Sequence, residues 1–296
     1  MKALAAVQVL VGVGLVVAAV SGAFGGGGDA GTTARARVDR FDARHAFALL
    51  RAQVEMGPRP AGSAASRRLA AFIRARLPHG RYETVPGGLR NVVGELPGRG
   101  RAILVGAHYD TKEIPGFVGA NDGAGGTAEL LELARSLRHE RRPAGAPPVR
   151  FVAFDGEESP GPGDHDFYAR GLRGSKAYAA RHARKLRAVV LLDFVADRNL
   201  RIPREAGSDP RLWARLRAAA AIVGASAAFP DATQGEVLDD HTPFARLGVP
   251  AIDLIDFDFP CWHKTCDDLG AVSERSLDLS GEAVLELLRA LLHSTA

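Results

Sequence analysis

The alternation of apolar strands with helical segments is the feature that most constrains how this chain can fold. Apolar runs between turn residues predict buried strands over 92–96, 101–107, 149–154, 188–194 and 249–255. Apolar residues at helical spacing predict helices at about 40–56, 64–77, 125–138, 173–184, 209–222 and 273–292, the last with Ser273 as its N-cap. Strands that are apolar throughout are typical of a mostly parallel sheet covered on both faces, so we predict an α/β fold.

Composition excludes several classes of protein. The chain has 296 residues, of which 46% are apolar, and this is ample for a core of one large domain or two small ones. The net charge is +4, and the basic residues are mostly Arg and are dispersed along the sequence with no long basic run. No nucleic-acid partner is therefore expected. Two cysteines are too few for a disulfide scaffold. We place one domain at residues 40–296.

The amino terminus is a separate segment. Lys2 precedes an uncharged apolar run over 3–20, and small residues follow it. This pattern predicts that residues 1–24 are either a secretory signal peptide or a membrane anchor, and in the second case residues 3–20 tether the chain to a membrane. Residues 25–39 are predicted to be a flexible linker. Both readings place the domain outside the cytoplasm, as a secreted or membrane-anchored protein.

Polar side chains recur where the predicted strands end. The strand exits and the loops that follow them carry His108, Asp122, Glu157, Glu158, Asp193 and His263. In a sheet of this type, sites form at the carboxyl ends of the strands. Taken singly, each residue has an ordinary explanation, such as a turn or helix cap at 121–123. Taken together, they predict a bound cation, because buried carboxylates without partners are costly, and the ligand atoms suit Zn²⁺.

The order of these motifs resembles the M28 zinc peptidase family. The resemblance rests on His108-x-Asp110, the motif at 121–123, Glu157-Glu158, Asp193 and His263, together with the segment at 57–63. It covers about residues 40–295 and implies a three-layer α/β/α sandwich around a mostly parallel mixed sheet.

Within that family, the chain is most similar to the glutaminyl-peptide cyclotransferase branch. The similar segments are 108–112, 239–244 with 248–250, and 259–263, where a Trp precedes the His. Two features depart from that branch. The motif at 121–123 is closer to the peptidase branch, and the Trp that follows the Glu-Glu pair in the cyclotransferases is absent from 159–163. The stretch 159–172 is either the counterpart of the cyclotransferase insertion or a surface loop.

The resemblance implies roles for individual residues. One zinc per chain is favoured, with Asp122, Glu158 and His263 as its ligands. Glu157 is implied as the group that carries the proton, and Asp193 and Asp239 as further catalytic carboxylates. Trp262 and Phe259 are implied to line the substrate pocket. The implied reaction converts the N-terminal glutamine of peptides or proteins to pyroglutamate with release of ammonia, and a monomer is expected.

Two other functions stay open. In an aminopeptidase of this family, a second zinc is held by His108, Asp122 and Asp193, and metal-bound water attacks the first peptide bond. All of these ligands are present here, so two metals are not excluded. The cyclotransferase branch also retains a His and an Asp at the spare positions, so their presence barely discriminates between the two reactions. The third candidate is a metal-binding protein without catalysis, although such a protein has little use for Glu157 beside Glu158.

The two cysteines flank the predicted ligand His263. In an oxidising compartment, Cys261 and Cys266 are expected to form a local disulfide that holds this loop. Two free buried thiols are the alternative.

Overall fold

A computed structural model describes residues 38–294, which form a central sheet between two layers of helices. The helices are α1 (Ala43–Val54), α2 (Ala64–Arg76), α3 (Ala124–His139), α4 (Phe167–Arg170), α5 (Arg173–His182), α6 (Pro210–Val223), α7 (Thr242–Ala245) and α8 (Glu274–His293). The strands are β1 (Arg81–Val85), β2 (Leu89–Leu96), β3 (Ala102–His108), β4 (Val149–Phe154), β5 (Leu186–Leu192), β6 (Arg204–Glu205), β7 (Thr233–Gln234) and β8 (Ala251–Leu254). A 3-10 turn, Ala183–Lys185, follows α5.

The main sheet has the strand order β1-β2-β4-β3-β5-β8. Strands β4, β3, β5 and β8 run parallel to one another, whereas β1 and β2 are antiparallel at one edge. The predicted α/β sandwich with a mostly parallel mixed sheet is therefore confirmed. The sequence did not predict β1, because its residues are mostly exposed and polar and form no apolar run.

Alternate residues of β3 enter the two hydrophobic layers, as the period of a strand requires. Ile103, Val105 and Ala107 pack in the layer that contains α1, α3, α6 and α8. Ala102 and Leu104 pack in the other layer with residues of α5 and α7. Because both faces of the strand are buried, the carboxyl end of the sheet is the place where its polar residues become accessible.

A glycine lets α3 approach this carboxyl end closely. A Cβ atom on Gly126 would lie 2.1 Å from the carbonyl oxygen of Leu192, the last residue of β5. A larger residue would push the first turn of α3 away from the sheet. The close approach brings Asp122, which precedes α3, next to the residue that follows β5.

The predicted helices are all present, with ends that differ by a few residues. The first begins at Ala43 and not at residue 40, because the Asp42 side chain accepts a hydrogen bond from the His45 amide as an N-cap. Ser273 caps α8 as predicted. The segment 1–24 and positions 25–37 of the predicted linker lie outside the described residues. Within residues 38–294, no helix combines the length and the apolar character needed to cross a membrane.

Candidate metal centre and active site

The predicted ligands lie together at the carboxyl end of the parallel strands. His108 is the last residue of β3, Glu158 follows β4, Asp193 directly follows β5, and His263 lies in the loop after β8. Asp122 ends the loop between β3 and α3. The site is therefore built from the exits of four strands and the start of one helix, as expected for an open α/β sheet.

Three of these side chains form a group with the spacing of metal ligands. His263 Nε2 lies 3.6 Å from Asp122 Oδ2 and 3.4 Å from Glu158 Oε1. Ligand atoms bound at about 2.0–2.1 Å to one tetrahedral zinc are about 3.3–3.4 Å apart. Asp122 Oδ2 and Glu158 Oε1 are buried and have no hydrogen-bond partner, so their burial is costly unless a cation lies between them. The donor set and its geometry fit Zn²⁺.

A second group shares Asp122. His108 Nε2 lies 3.2 Å from Asp122 Oδ1 and 3.4 Å from Asp193 Oδ1. Asp122 thus offers one carboxylate oxygen to each group, which is the arrangement of a bridging ligand. Both ring nitrogens of His108 lack a hydrogen-bond partner. The spacing is therefore compatible with one ion or with two.

Buried carboxyl groups in this cluster retain protons at higher pH than usual. Burial raises the pKa of Asp122 to about 7, and the nearby charge of Glu158 adds to the shift. For Glu157, burial is again the main cause and Glu158 the second, and its pKa rises well above the usual range. Burial disfavours the charged form of His108, yet the neighbouring carboxylates, Asp110 first among them, raise its pKa well above the usual value. A bound cation would lower the pKa of the carboxyl groups that ligate it.

Two carboxylates position the ligand loops by accepting backbone hydrogen bonds. Asp110 accepts from the amides of Gly156 at 2.9 Å, Glu157 at 3.1 Å and Glu158 at 3.3 Å. Asp267 accepts from the amides of Asn121 at 2.7 Å and Asp122 at 3.0 Å. The sequence predicted no role for either of them. A carboxylate a few residues from a ligand was the only available signal.

A buried lysine and a loop carboxylate complete the surroundings of the first group. Lys112 Nζ lies 3.2 Å from Glu158 Oε2, donates to Ser159 Oγ at 2.8 Å and pairs with Asp164. Asp164 Oδ2 in turn lies 3.3 Å from His263 Nδ1. Asp164 comes from the stretch 159–172, which the sequence left open between an insertion and a surface loop. Its position holds the ring of His263 from the side opposite the ligand nitrogen.

A cavity of about 490 Å³ opens over the first group. Its polar lining includes Asp122, Glu157, Glu158, Asp193, Asp239 and His263, and its apolar lining includes Phe167, Phe194, Ile255, Phe257 and Trp262. His108 does not line it. Trp262 is 39% exposed, and its ring lies 5.2 Å from that of Phe257. Phe167, from the stretch 159–172, supplies an aromatic wall that the sequence did not predict.

The prediction for Phe259 is wrong. Its ring is buried beneath the cavity and packs against Phe194 at 5.8 Å between ring centres, so it supports the wall without lining the cavity. Phe257 lines the cavity in its place. A loop has no fixed period, and its sequence therefore does not show which of two nearby aromatic residues faces a ligand.

Asp239 lies on the cavity wall and leads to a buried polar group behind it. Burial raises the pKa of Asp239 to about 6, with the charge of Asp193 as the next cause. Behind it, His241 Nε2 lies 3.3 Å from Glu205 Oε1, and Nδ1 lies 3.6 Å from Asp253 Oδ2. The structure thus places both predicted catalytic carboxylates, Asp193 and Asp239, beside the candidate metal ligands.

The predicted disulfide is confirmed. Cys261 and Cys266 are bonded, and His263 lies in the loop that they close. His263 has a φ of 51°, which is uncommon for a residue with a side chain. Its ring stacks on that of Trp262 at 4.6 Å. The short covalent loop restricts the backbone that presents the His263 ligand.

Comparison with known proteins gives consistent matches. Residues 91–288 match Peptidase family M28. The chain is 30% identical over 244 residues to the glutaminyl-peptide cyclotransferase of Bothrops jararaca. The matched region covers 70% of this chain and 65% of that protein, so the chain spans slightly less than two thirds of the relative's length.

Solved structures match over a larger share of the chain. The glutaminyl cyclase of an Acidobacteriales bacterium has a TM-score of 0.74 and 30% identity, covering 90% of this chain and 99% of that one. A leucine aminopeptidase precursor from Bacteroides thetaiotaomicron has a TM-score of 0.77 and 25% identity, covering 86% of this chain and 99% of that one. Both activities weighed from the sequence thus occur among proteins of this fold.

Proposed function

The chain belongs to peptidase family M28, and on that premise we propose that it is a zinc-dependent glutaminyl-peptide cyclotransferase. It converts the N-terminal glutamine of peptides or proteins to pyroglutamate and releases ammonia. The observation that carries the proposal is the group of Asp122, Glu158 and His263, which lies with Glu157 at the base of an aromatic cavity. The similarity to a glutaminyl-peptide cyclotransferase over 70% of the chain, and to a glutaminyl cyclase structure over 90% of it, supports this choice of reaction.

The cavity is suited to a folded glutamine side chain. When bound by Asp122, Glu158 and His263, zinc supplies a positive charge that polarises the side-chain carbonyl of the substrate. The aromatic residues around the cavity hold the side chain close to its own α-amine and exclude water. Exclusion of water matters because hydrolysis of the same amide is the competing reaction.

Glu157 moves the proton that the reaction requires. The α-amine nitrogen forms a bond to the side-chain amide carbon, and the bond from that carbon to the amide nitrogen breaks. Glu157 takes a proton from the attacking amine and gives it to the departing nitrogen, which leaves as ammonia. Burial and the charge of Glu158 raise the pKa of Glu157, which favours the step in which it gives its proton to the departing nitrogen. Asp239, on the same wall, binds the substrate α-ammonium, which gives one proton to solvent so that the neutral amine can attack.

We favour one zinc per chain. All three residues of the first group line the cavity, whereas His108 of the second group does not. We also propose that residues 40–296 form one catalytic domain, that residues 1–24 direct it out of the cytoplasm as a signal or an anchor, and that it acts as a monomer. Peptide or protein N-termini are its substrates.

Aminopeptidase activity is the second candidate, because a specific observation favours it. His108, Asp122 and Asp193 have ligand spacing as good as that of the first group, and together the two groups would hold two ions with Asp122 between them. In that reaction Glu157 would act as the base toward water.

One experiment separates these functions. The purified chain is given a glutaminyl peptide and, separately, aminoacyl anilides, and zinc is counted per chain. We expect ammonia release without peptide-bond cleavage, about one zinc, and a loss of rate of about 10²–10⁴-fold in Glu157→Gln with zinc retained. Glu55→Gln, an exposed carboxylate that does not line the cavity, is the control and should keep the wild-type rate.

The other outcomes are equally clear. Free amino acids together with two zinc ions would replace the proposal with the aminopeptidase. Zinc binding without turnover of either substrate would indicate a metal-binding protein.

A further inference from the structure

The end of the sheet opposite the candidate active site is strongly basic. Two adjoining cavities of about 480 and 670 Å³ lie there, next to the residues that precede β3, β5 and β8, and Arg101 lines both. Their basic lining residues include Arg99, Arg101, Arg181, Arg184, Lys185 and Arg187, and neither cavity is lined by an acidic side chain. We call this surface the basic end.

The charges of the basic end are not neutralised within the described residues. Arg99, Arg101, Arg184 and Lys185 are exposed, and none of the ion pairs or side-chain hydrogen bonds found between residues 38 and 294 involves their side chains. Arg187 donates only to the neutral Ser294 hydroxyl. Such a surface attracts anions.

The molecule is polarised along its parallel strands. Arg101 directly precedes β3 and His108 ends it, so the basic end and the metal centre are separated by about 23 Å of strand. The cavity at the other end is lined by seven acidic side chains: Asp122, Glu157, Glu158, Asp164, Asp193, Glu236 and Asp239. An anionic surface would therefore attract the basic end and repel the end that carries the active site.

We propose that the basic end binds the anionic lipid headgroups of a membrane, with the active-site cavity directed away from the bilayer. Leu247, which is 59% exposed and lines the larger cavity, contacts the interface. A planar anionic surface can engage charges spread over two cavities at once. Binding of this kind requires no particular reaction at the active site.

Lysine labelling tests this proposal on the full chain. Lys185 lies at the basic end and Lys264 is exposed near the active site, so each reports on its own end of the molecule. The chain is mixed with vesicles of phosphatidylcholine alone or with phosphatidylglycerol added, and acetylation of each lysine is followed by mass spectrometry. We expect phosphatidylglycerol to slow labelling of Lys185 severalfold, to leave Lys264 unchanged, and to lose its effect at high salt.

Charge variants identify the surface. The triple variant Arg99→Ser, Arg101→Ser and Arg184→Ser keeps Lys185 as the reporter. Each basic side chain near an anionic membrane strengthens binding about fivefold, so the protection of Lys185 should require on the order of a hundredfold more anionic lipid. A control variant with Arg67→Ser, Arg68→Ser and Arg201→Ser removes three exposed charges that line neither cavity and should behave as wild type.

Several results would overturn the proposal. These are equal protection of Lys185 by both kinds of vesicle, protection of Lys264 in its place, and an unchanged response in the triple variant. A parallel series with poly-glutamate and with duplex DNA covers the other anionic partners. Protection by either of these without protection by anionic vesicles would also refute lipid binding.

Discussion

Glu129 provides a test of how this fold tolerates buried charge outside the active site. It lies in α3 with no solvent exposure, and its Oε1 accepts a hydrogen bond from Ser280 of α8 at 3.2 Å. Its Oε2 has no hydrogen-bond partner. Burial raises the pKa of Glu129 to about 8, so the folded protein holds a neutral carboxyl group there at pH 7.

This shift predicts a loss of stability as the pH rises. In the unfolded chain Glu129 ionises near pH 4.5, so the cost of keeping it protonated in the fold is absent below that pH. The cost grows as the pH rises and levels off above the folded-state pKa, at roughly 5 kcal/mol in total. Glu129→Gln keeps an acceptor for Ser280 and removes the ionisable group. The free energy of unfolding of the variant, relative to wild type, should therefore rise by about 4 kcal/mol between pH 5 and pH 9.

Urea unfolding followed by circular dichroism at pH 5, 7 and 9 measures this difference. Both proteins are kept in excess chelator, so that zinc binding does not contribute to either curve. Glu132→Gln is the matched control. Its carboxylate, in the same helix, is buried and bound by Arg135 at 2.7 Å, so loss of that charge should destabilise the protein at pH 7. If the stabilities of wild type and Glu129→Gln change in parallel with pH, the reasoning about the buried carboxyl is refuted.

Three further predictions concern the active site. Asp164→Asn should lower the affinity for zinc about 10–100-fold, because the carboxylate no longer holds His263 Nδ1. Competition with a chromophoric chelator measures this affinity, and an unchanged value would exclude the positioning role. Replacement of Cys261 and Cys266 by Ser should also lower the affinity for zinc in that assay, since the loop around His263 is then open. Equal affinities of the variant and the wild type would contradict a structural role for the disulfide. Trp262→Ala should raise KM for a glutaminyl peptide at unchanged zinc content, and a wild-type KM would place Trp262 outside the substrate path.

The sequence predicted the fold and the ligand groups for the same physical reason. Strands such as β3 and β5 are buried on both faces and therefore read as unbroken apolar runs. The first polar residue after such a run marks the end of the strand, and His108 and Asp193 mark it here. The edge strand β1 lacks this signal, because it is partly exposed and polar.

Residues that act from irregular loops could not be predicted in this way. Lys112 and Asp164 meet at Glu158 and His263, although they lie far apart in the sequence and on segments without a period. The same limit explains the error at Phe259. Only the folded loop shows that Phe257 faces the cavity.

The loops of the active site are held in place by hydrogen bonds from one loop to the next. The loop after β3 supplies Asp110, which accepts the amides of Glu157 and Glu158 after β4. The loop after β8 supplies Asp267, which accepts the amide of Asp122 before α3. In both cases a loop that carries one candidate ligand also carries the carboxylate that positions another.

The loop after β4 also supports a ligand in another loop. It supplies Asp164, which contacts the His263 ring in the loop after β8. The three residues of the first group, Asp122, Glu158 and His263, are therefore each oriented by a carboxylate from a different strand exit. This explains why the candidate ligands are spread over distant motifs. Since each motif carries both a ligand and a support for another ligand, a change in one loop would displace side chains that the sequence places far from it.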